Sequence, residues 1–339
     1  MTIAVSILVF GLLIFIHEFG HFLVAKRVGI KVQEFALGMG PKLVGYQRGE
    51  TLYSLRLFPI GGFVRMAGME AHDQEDERGF NKKSVWQRMA VIFAGPLMNL
   101  VLAAILFASI FAFIGLPVYE PVIGEVIPGH PAAEAGVLPG DKILAINGEA
   151  VGDWGRLVNL IQKRPGEPLV LEVQRGNQRL QLRLVAESKT GEDGQTRGFI
   201  GIGPVIRRQD PLEAMKNGFW QTIGIILFWF KALGLMLTKK MAVDFAGPIG
   251  ITQMIGEATR TGLTNLLSLA GALSANLGLI NLLPIPALDG SRLMFLLVEV
   301  VRGKRLDPAR ENFIHFLGFA LLIFLAIFIA YQDILRLGM

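Results

Sequence analysis

The chain contains no cysteine, so it forms no disulfide, and any transition-metal site in it must be built from imidazoles and carboxylates. Charge is sparse as well: Asp, Glu, Lys and Arg make up 18% of the 339 residues, against 52% apolar. With a mean hydropathy of +0.49, this excludes an ordinary soluble enzyme and points to a membrane protein. No Lys or Arg precedes residue 26, and no small-x-small site follows the opening apolar run, so residues 1–16 do not read as a cleaved leader. The net charge of +5 comes with no nucleic-acid motif. The basic excess reads instead as cytoplasmic flanking of membrane spans, with the lipid bilayer and no nucleic acid as partner. The length suffices for two or three folded units.

Histidine is rare, with five in the chain, yet two lie four residues apart inside the first apolar run. Residues 3–16 hold no charge, and His17, Glu18 and His21 follow at once. The whole run of 3–25 is close to the ~20 residues a helix needs to cross the hydrocarbon core. An ionisable group there costs about 2.5–3.5 kcal/mol each on insertion scales, so three together need a reason. His at i and i+4 share a helix face, and two imidazoles one turn apart bind one Zn²⁺, with the adjacent Glu as general base. The plain alternative is a histidine pair packed in a helical bundle with Glu18 paired to one of them.

Lys26, Arg27, Lys31, Lys42, Arg48, Arg56 and Arg65 follow the first run, then Lys82, Lys83 and Arg88. The positive-inside rule places the N-terminus outside and residues 26–90 in the cytoplasm, with His17 roughly 20 Å along the helix, nearer the cytoplasmic side. Residues 51–66 read as strand, break, strand, with Pro59, Gly61 and Gly62 allowing a turn. That hairpin is either purely structural or a strand edge that pairs with an extended substrate. Residues 70–83, His72 included, read as a solvated loop. Residues 91–116 form a second span, in which Asn99 faces protein. VIGEVI, KILAI, PLVLEV and LQLRLV read as strands, Asn147-Gly148 as a turn and WGRLVNLIQKR as a short helix. Residues 188–208 read as a linker.

A catalytic zinc takes three protein ligands. The candidates for the third are Asp289, Glu299, His315, Asp244 and Asp333. Asp289 is favoured, because it alone follows a Pro/Gly break inside an apolar stretch. Broken helix at membrane depth is tolerated where it is buried in protein or lines a wet cavity. Glu299 reads as paired with the basic loop at 302–310, and His315 as an interface residue. Asp289 must then lie at the depth of His17 and His21. That parity requires residues 212–238, interrupted by Lys231, to form an amphipathic or re-entrant helix rather than a full crossing.

HEFGH, FPIGGFVRM, GPLMN, the segment HPAAEAGVLPGDKILAINGEAV, FAGPIG and NLLPIPALDG occur in this order. Together they resemble the bacterial site-2 proteases of RseP type over nearly the whole chain. The resemblance implies an α-helical polytopic membrane protein of about four spans. It also implies a cytoplasmic membrane-associated β-loop and one inserted extracytoplasmic PDZ-like α+β domain, where enteric members carry two. The implied organisation is a first span at 1–26, a β-loop region at 27–90 and a second span at 91–116. A PDZ-like domain follows at 117–190, then a linker and amphipathic helix at 191–265. A broken third span at 266–301 precedes a basic loop and last span at 302–339. It implies a zinc-dependent intramembrane endopeptidase of the bacterial inner membrane, cutting single-pass membrane proteins such as anti-sigma factors already trimmed by another protease. By motif, His17, His21 and Asp289 look like zinc ligands and Glu18 like the catalytic base. Gly61, Gly62, Phe63, Val64, Asn276, Asn281, Pro284 and Pro286 look like substrate-handling positions. Two other classes stay open: a membrane-anchored protease acting on soluble chains, and a PDZ adaptor with a degenerate metal site.

Overall fold

The computed structural model describes residues 1–69, 76–191, 194–238, 247–305 and 307–337. His72, Asp244 and the start of the FAGPIG run lie outside the described residues. The chain divides into two units, Met1–Ile110 with Pro211–Met339, and the inserted Phe111–Asp210.

The first unit opens with α1 (Thr2–Arg27), which ends where Gly29 takes φ +71° and Ile30 N–H donates to Ala25 O at 2.9 Å. Two strands follow, β1 (Val32–Arg48) and β2 (Thr51–Met66). Each bends back on itself, so Glu34–Leu37 pairs with Gly62–Arg65 on one side and Leu52–Leu55 on the other. The break is at the Pro59–Gly61 turn, where Gly61 has φ +83°. Glu34, 5% exposed, accepts from Ser54 Oγ at 2.6 Å and Arg56 at 2.7 Å. Burial raises its carboxyl, but those two donors outweigh it and hold Glu34 below the usual carboxylate range. Arg56 and Arg65 both lie over the Phe63 ring, at 4.8 and 5.7 Å.

Helix α2 (Val85–Ser109) starts at a capping box, with Gln87 N–H donating to Ser84 Oγ and Ser84 N–H to Gln87 Oε1. Membrane helices gain nothing from excluding water, so they need close backbone approach. Gly20 of α1 lies on the Ala94 carbonyl of α2, and a Cβ there would come within 2.8 Å of Met98.

Among its described residues the inserted unit carries, after a π-helical turn at Ile110–Ile114, β3 (Leu116–Pro117), β4 (Ile123–Val126), α3 (Pro131–Glu134), β5 (Lys142–Ile146), β6 (Glu149–Ala150), α4 (Trp154–Gln162), β7 (Pro168–Arg175), β8 (Gln178–Val185), β9 (Glu187–Thr190), β10 (Thr196–Phe199), β11 (Ile202–Pro204) and β12 (Ile206–Arg207). The central sheet has the order β6-β5-β7-β8, with Asn147 and Gly148 in positive φ at its first turn. Ile143, Ile146, Leu157, Leu169, Leu171 and Ile200 form its core. The chain beyond 190 is not a linker here. Strand β10 pairs β9, β11 pairs β4 and β12 pairs β3, so this run closes the unit. Strands of two to four residues with Gly and Arg carry no alternating pattern to read, and pairing partners far back in the chain define them.

The first unit resumes with α5 (Pro211–Leu237), α6 (Pro248–Thr261), α7 (Leu263–Leu282), α8 (Asp289–Arg302) and α9 (Pro308–Leu337). Among the described residues four helical stretches are long and apolar enough to cross a membrane: Thr2–Arg27, Val85–Ile114, Leu263–Leu282 and Phe313–Leu335. Helix α5 is not among them. Glu299 does pair with the basic loop, with Arg305 at 3.4 Å, and it also accepts two bonds from Arg88 of α2, at 2.6 and 3.1 Å.

Candidate metal centre

Helix α1 puts His17 and His21 one turn apart, and their Nε2 atoms lie 3.2 Å from each other. The break at 283–288 turns the chain so that Asp289, at the first turn of α8, meets them. Its Oδ2 lies 3.0 Å from His17 Nε2 and 3.3 Å from His21 Nε2. A tetrahedral ion with bonds of about 2.0–2.1 Å separates its ligand atoms by roughly 3.3 Å, so the triangle has the size such an ion needs. Asp289 Oδ2 is buried and makes no hydrogen bond of good geometry even with two ring nitrogens this close. Three lone pairs converge on one point, and the donor set of two imidazoles and a carboxylate fits zinc.

The rings are held from behind. His21 Nδ1 donates to Val91 O at 2.8 Å, which leaves Nε2 with its lone pair for a metal. His17 Nδ1 lies 3.2 Å from the Asn99 side-chain amide, which is completely buried. Asn99 Oδ1 has no hydrogen-bond partner among the described residues, so the amide that matches a metal-bound His17 presents Oδ1 to the Nδ1–H. Ser274 of α7 donates to Asn99 O at 2.7 Å and anchors that point of α2. Gly95 makes room: a Cβ there would stand 2.9 Å from His17 Nε2 and closer to the His21 ring.

Glu18 lines the same cavity of about 700 Å³ as the three ligands, together with Gly62–Met66, Asn281 and Arg292. Gly62 lets the strand come close, since a Cβ there would lie 3.1 Å from Glu18 Cγ and 3.2 Å from Ile14. Phe63 and Val64 line the cavity beside it, whereas Gly61 forms the preceding turn. Of the Asn and Pro positions around the break, Asn281 lines the cavity, and Asn276, Pro284 and Pro286 do not. His315 accepts from Ala287 N–H at 3.2 Å, and Asp333 accepts from the amides of Gly247 and Gly250 at 3.2 and 3.0 Å. Glu299 is held by Arg88 and Arg305. Sequence reasoning had Gly95 only as the first residue of GPLMN, without a role, and passed over Arg292. The spacing of Gly95, four residues before Asn99 on α2, was the available signal.

Fold and site together define a zinc metalloprotease carried on membrane helices. Residues 5–325 match the model of peptidase family M50, and the chain belongs to that family, the site-2 proteases. It is 34% identical to the zinc metalloprotease RasP of Geobacillus kaustophilus, over 97% of this chain and 96% of that one. It is 33% identical to the regulator of sigma-W protease RasP of Bacillus subtilis, over 99% of each. A PDZ domain of an SdrC-like protein from Listeria monocytogenes is 21% identical over 26% of this chain and 92% of its own, at a TM-score of 0.23. The protein is a multi-pass membrane enzyme with zinc as its cofactor.

Proposed function

We propose that the protein is an intramembrane endopeptidase that cuts single-pass membrane proteins in regulated proteolysis, anti-sigma factors or signal-peptide-like segments among them. The observation that carries this reading is the convergence of His17, His21 and Asp289 beside Glu18 on helices of membrane-spanning length. Zinc bound by those three residues supplies a Lewis acid that acidifies water and polarises the scissile carbonyl. Glu18 takes the proton from the attacking water and passes it to the departing amine. A helical substrate hides its carbonyls in internal hydrogen bonds, so it must unwind before attack. The Gly62–Met66 segment pairs with β1 on one side and lines the cavity, so it offers an edge that keeps the unwound stretch extended. The Asn281 amide donates to a freed substrate carbonyl. In this reading the β-loop is cytoplasmic, α5 lies along the outer leaflet, and the PDZ-like unit stands outside the cytoplasm, where substrate ectodomains project.

Co-expression with a panel of tagged single-span proteins tests the reading. Cleavage within the spans supports it, and cleavage confined to soluble or unfolded chains overturns it. Val64→Pro removes a backbone donor and distorts the edge. Turnover should fall roughly 100-fold, the cost of about 1 Å of misplacement, with zinc content unchanged. Equal turnover would remove the strand from the mechanism. The PDZ-like unit excludes bulky ectodomains. Its ends lie side by side, Leu116 against Arg207, so residues 116–207 can be deleted and the flanks joined. The shortened enzyme should cut substrates that no other protease has trimmed. If it instead stops cutting trimmed ones, the unit binds substrate and does not exclude it.

A further inference from the structure

Helix α9 is sparsely packed, with 6% of its apolar window Phe313–Leu335 buried. Among its described side chains two positions are buried, Gly318 and Asp333. Asp333 ties the far end to the start of α6 through the Gly247 and Gly250 amides. Gly318 sits against the break before Asp289, where a Cβ would lie 2.6 Å from the Pro286 carbonyl. One turn earlier on the same face, His315 Nδ1 accepts the Ala287 N–H at 3.2 Å. The other ring nitrogen, Nε2, has no hydrogen-bond partner among the described residues, and Phe295 stands edge-on to the ring at 5.7 Å. Ala287 has φ +77°, in the left-handed region that a side chain with Cβ rarely holds. Asp289 comes two residues later.

We propose that His315 is a positioning residue for the metal centre: it holds Ala287 in its left-handed turn, and that turn aims the Asp289 carboxylate at the two imidazoles. The proposal rests on Asp289 being the third ligand. The physical reason is the break itself. Pro284 and Pro286 interrupt the helical ladder, so Ala287 N–H finds no carbonyl one turn back, and a part-buried donor left without an acceptor is costly. An imidazole acceptor from the next helix meets that need. It also anchors the 286–287 peptide plane against α9, and from that plane the left-handed φ of Ala287 sends the chain toward Asp289. With that acceptor gone, Ala287 relaxes to negative φ and the chain two residues on swings away from α1. Gly318 supplies the close approach that lets His315 reach.

The test uses the full-length protein in detergent, with zinc affinity read by competition against a chelator. Four variants are compared: His315→Leu, His315→Gln, His315→Leu with Ala287→Gly, and Asp289→Asn. His315→Leu should weaken zinc binding about 10–100-fold, the usual effect of removing a group behind a metal ligand. His315→Gln keeps an acceptor oxygen and should stay close to wild type. Ala287→Gly should recover much of the loss in the Leu background, because glycine adopts positive φ freely. Unchanged affinity in His315→Leu, beside a clear loss in Asp289→Asn, would overturn the proposal. So would a loss that neither Gln nor Ala287→Gly reverses, which marks general damage. If Asp289→Asn itself leaves zinc affinity intact, the ligand assignment fails and the proposal with it.

Discussion

Glu18→Gln should lower turnover by about 10²–10⁴-fold while zinc stays bound at one equivalent per chain. The two parts of that expectation have separate causes. Glutamine matches glutamate in size, so the cavity that Glu18 shares with Gly62 and Asn281 keeps its shape. The amide cannot accept a proton, so water loses its base and the leaving amine its proton source. His17, His21 and Asp289 are untouched, and the metal has no reason to leave. Metal analysis and single-substrate turnover on the same preparation decide the matter. Activity within about tenfold of wild type would assign the proton transfer elsewhere, since general-base removal costs more than that. Loss of zinc would mean that Glu18 holds the metal instead.

Gly95→Ala is the second large effect, and its sign runs against local propensity. Alanine in a helix interior is favoured over glycine by about 1 kcal/mol, so α2 alone would gain. At residue 95 the new methyl would meet the two ligand rings, 2.9 Å from His17 Nε2. Those rings cannot step back, because Val91 O fixes one and the buried Asn99 amide the other. Zinc affinity should drop roughly 10–100-fold, as for other changes that misplace a metal ligand, and turnover with it. Thermal unfolding of the apo protein should come at lower temperature as well, because the methyl meets the rings whether or not metal is bound. A variant that keeps zinc affinity and turnover would show that the imidazoles have slack which the geometry denies.

How much of this was legible beforehand differs by element. The i, i+4 spacing of His17 and His21 in an uncharged run is a local pattern, and a helix of 3.6 residues per turn converts it directly into a shared face. The apolar stretches on α1, α2, α7 and α9 are likewise local, because a bilayer demands length and hydropathy from each span by itself. Asp289 was singled out by the prolines around it, and the structure brings it to the imidazoles. His315 read as an interface residue because its partner, the Ala287 amide, is 28 positions away. Glu299 read as a partner of the neighbouring basic loop, and Arg305 of that loop does pair with it, but the bidentate partner Arg88, 211 residues earlier, was out of reach of any local pattern. Strands β10 to β12 read as linker because their order comes from β9, β4 and β3 rather than from any alternation of their own.

By itself, then, the sequence determined a multi-span membrane protein with a zinc-type histidine pair, because hydropathy and helical period act over one or two turns of chain. Only the tertiary structure decided that Gly95 leaves room for the rings, that Asn99 and Val91 set their tautomers, and that α9 braces the turn before Asp289. Each of those is a contact of a few ångströms between residues far apart in the chain, and no local pattern encodes such a distance.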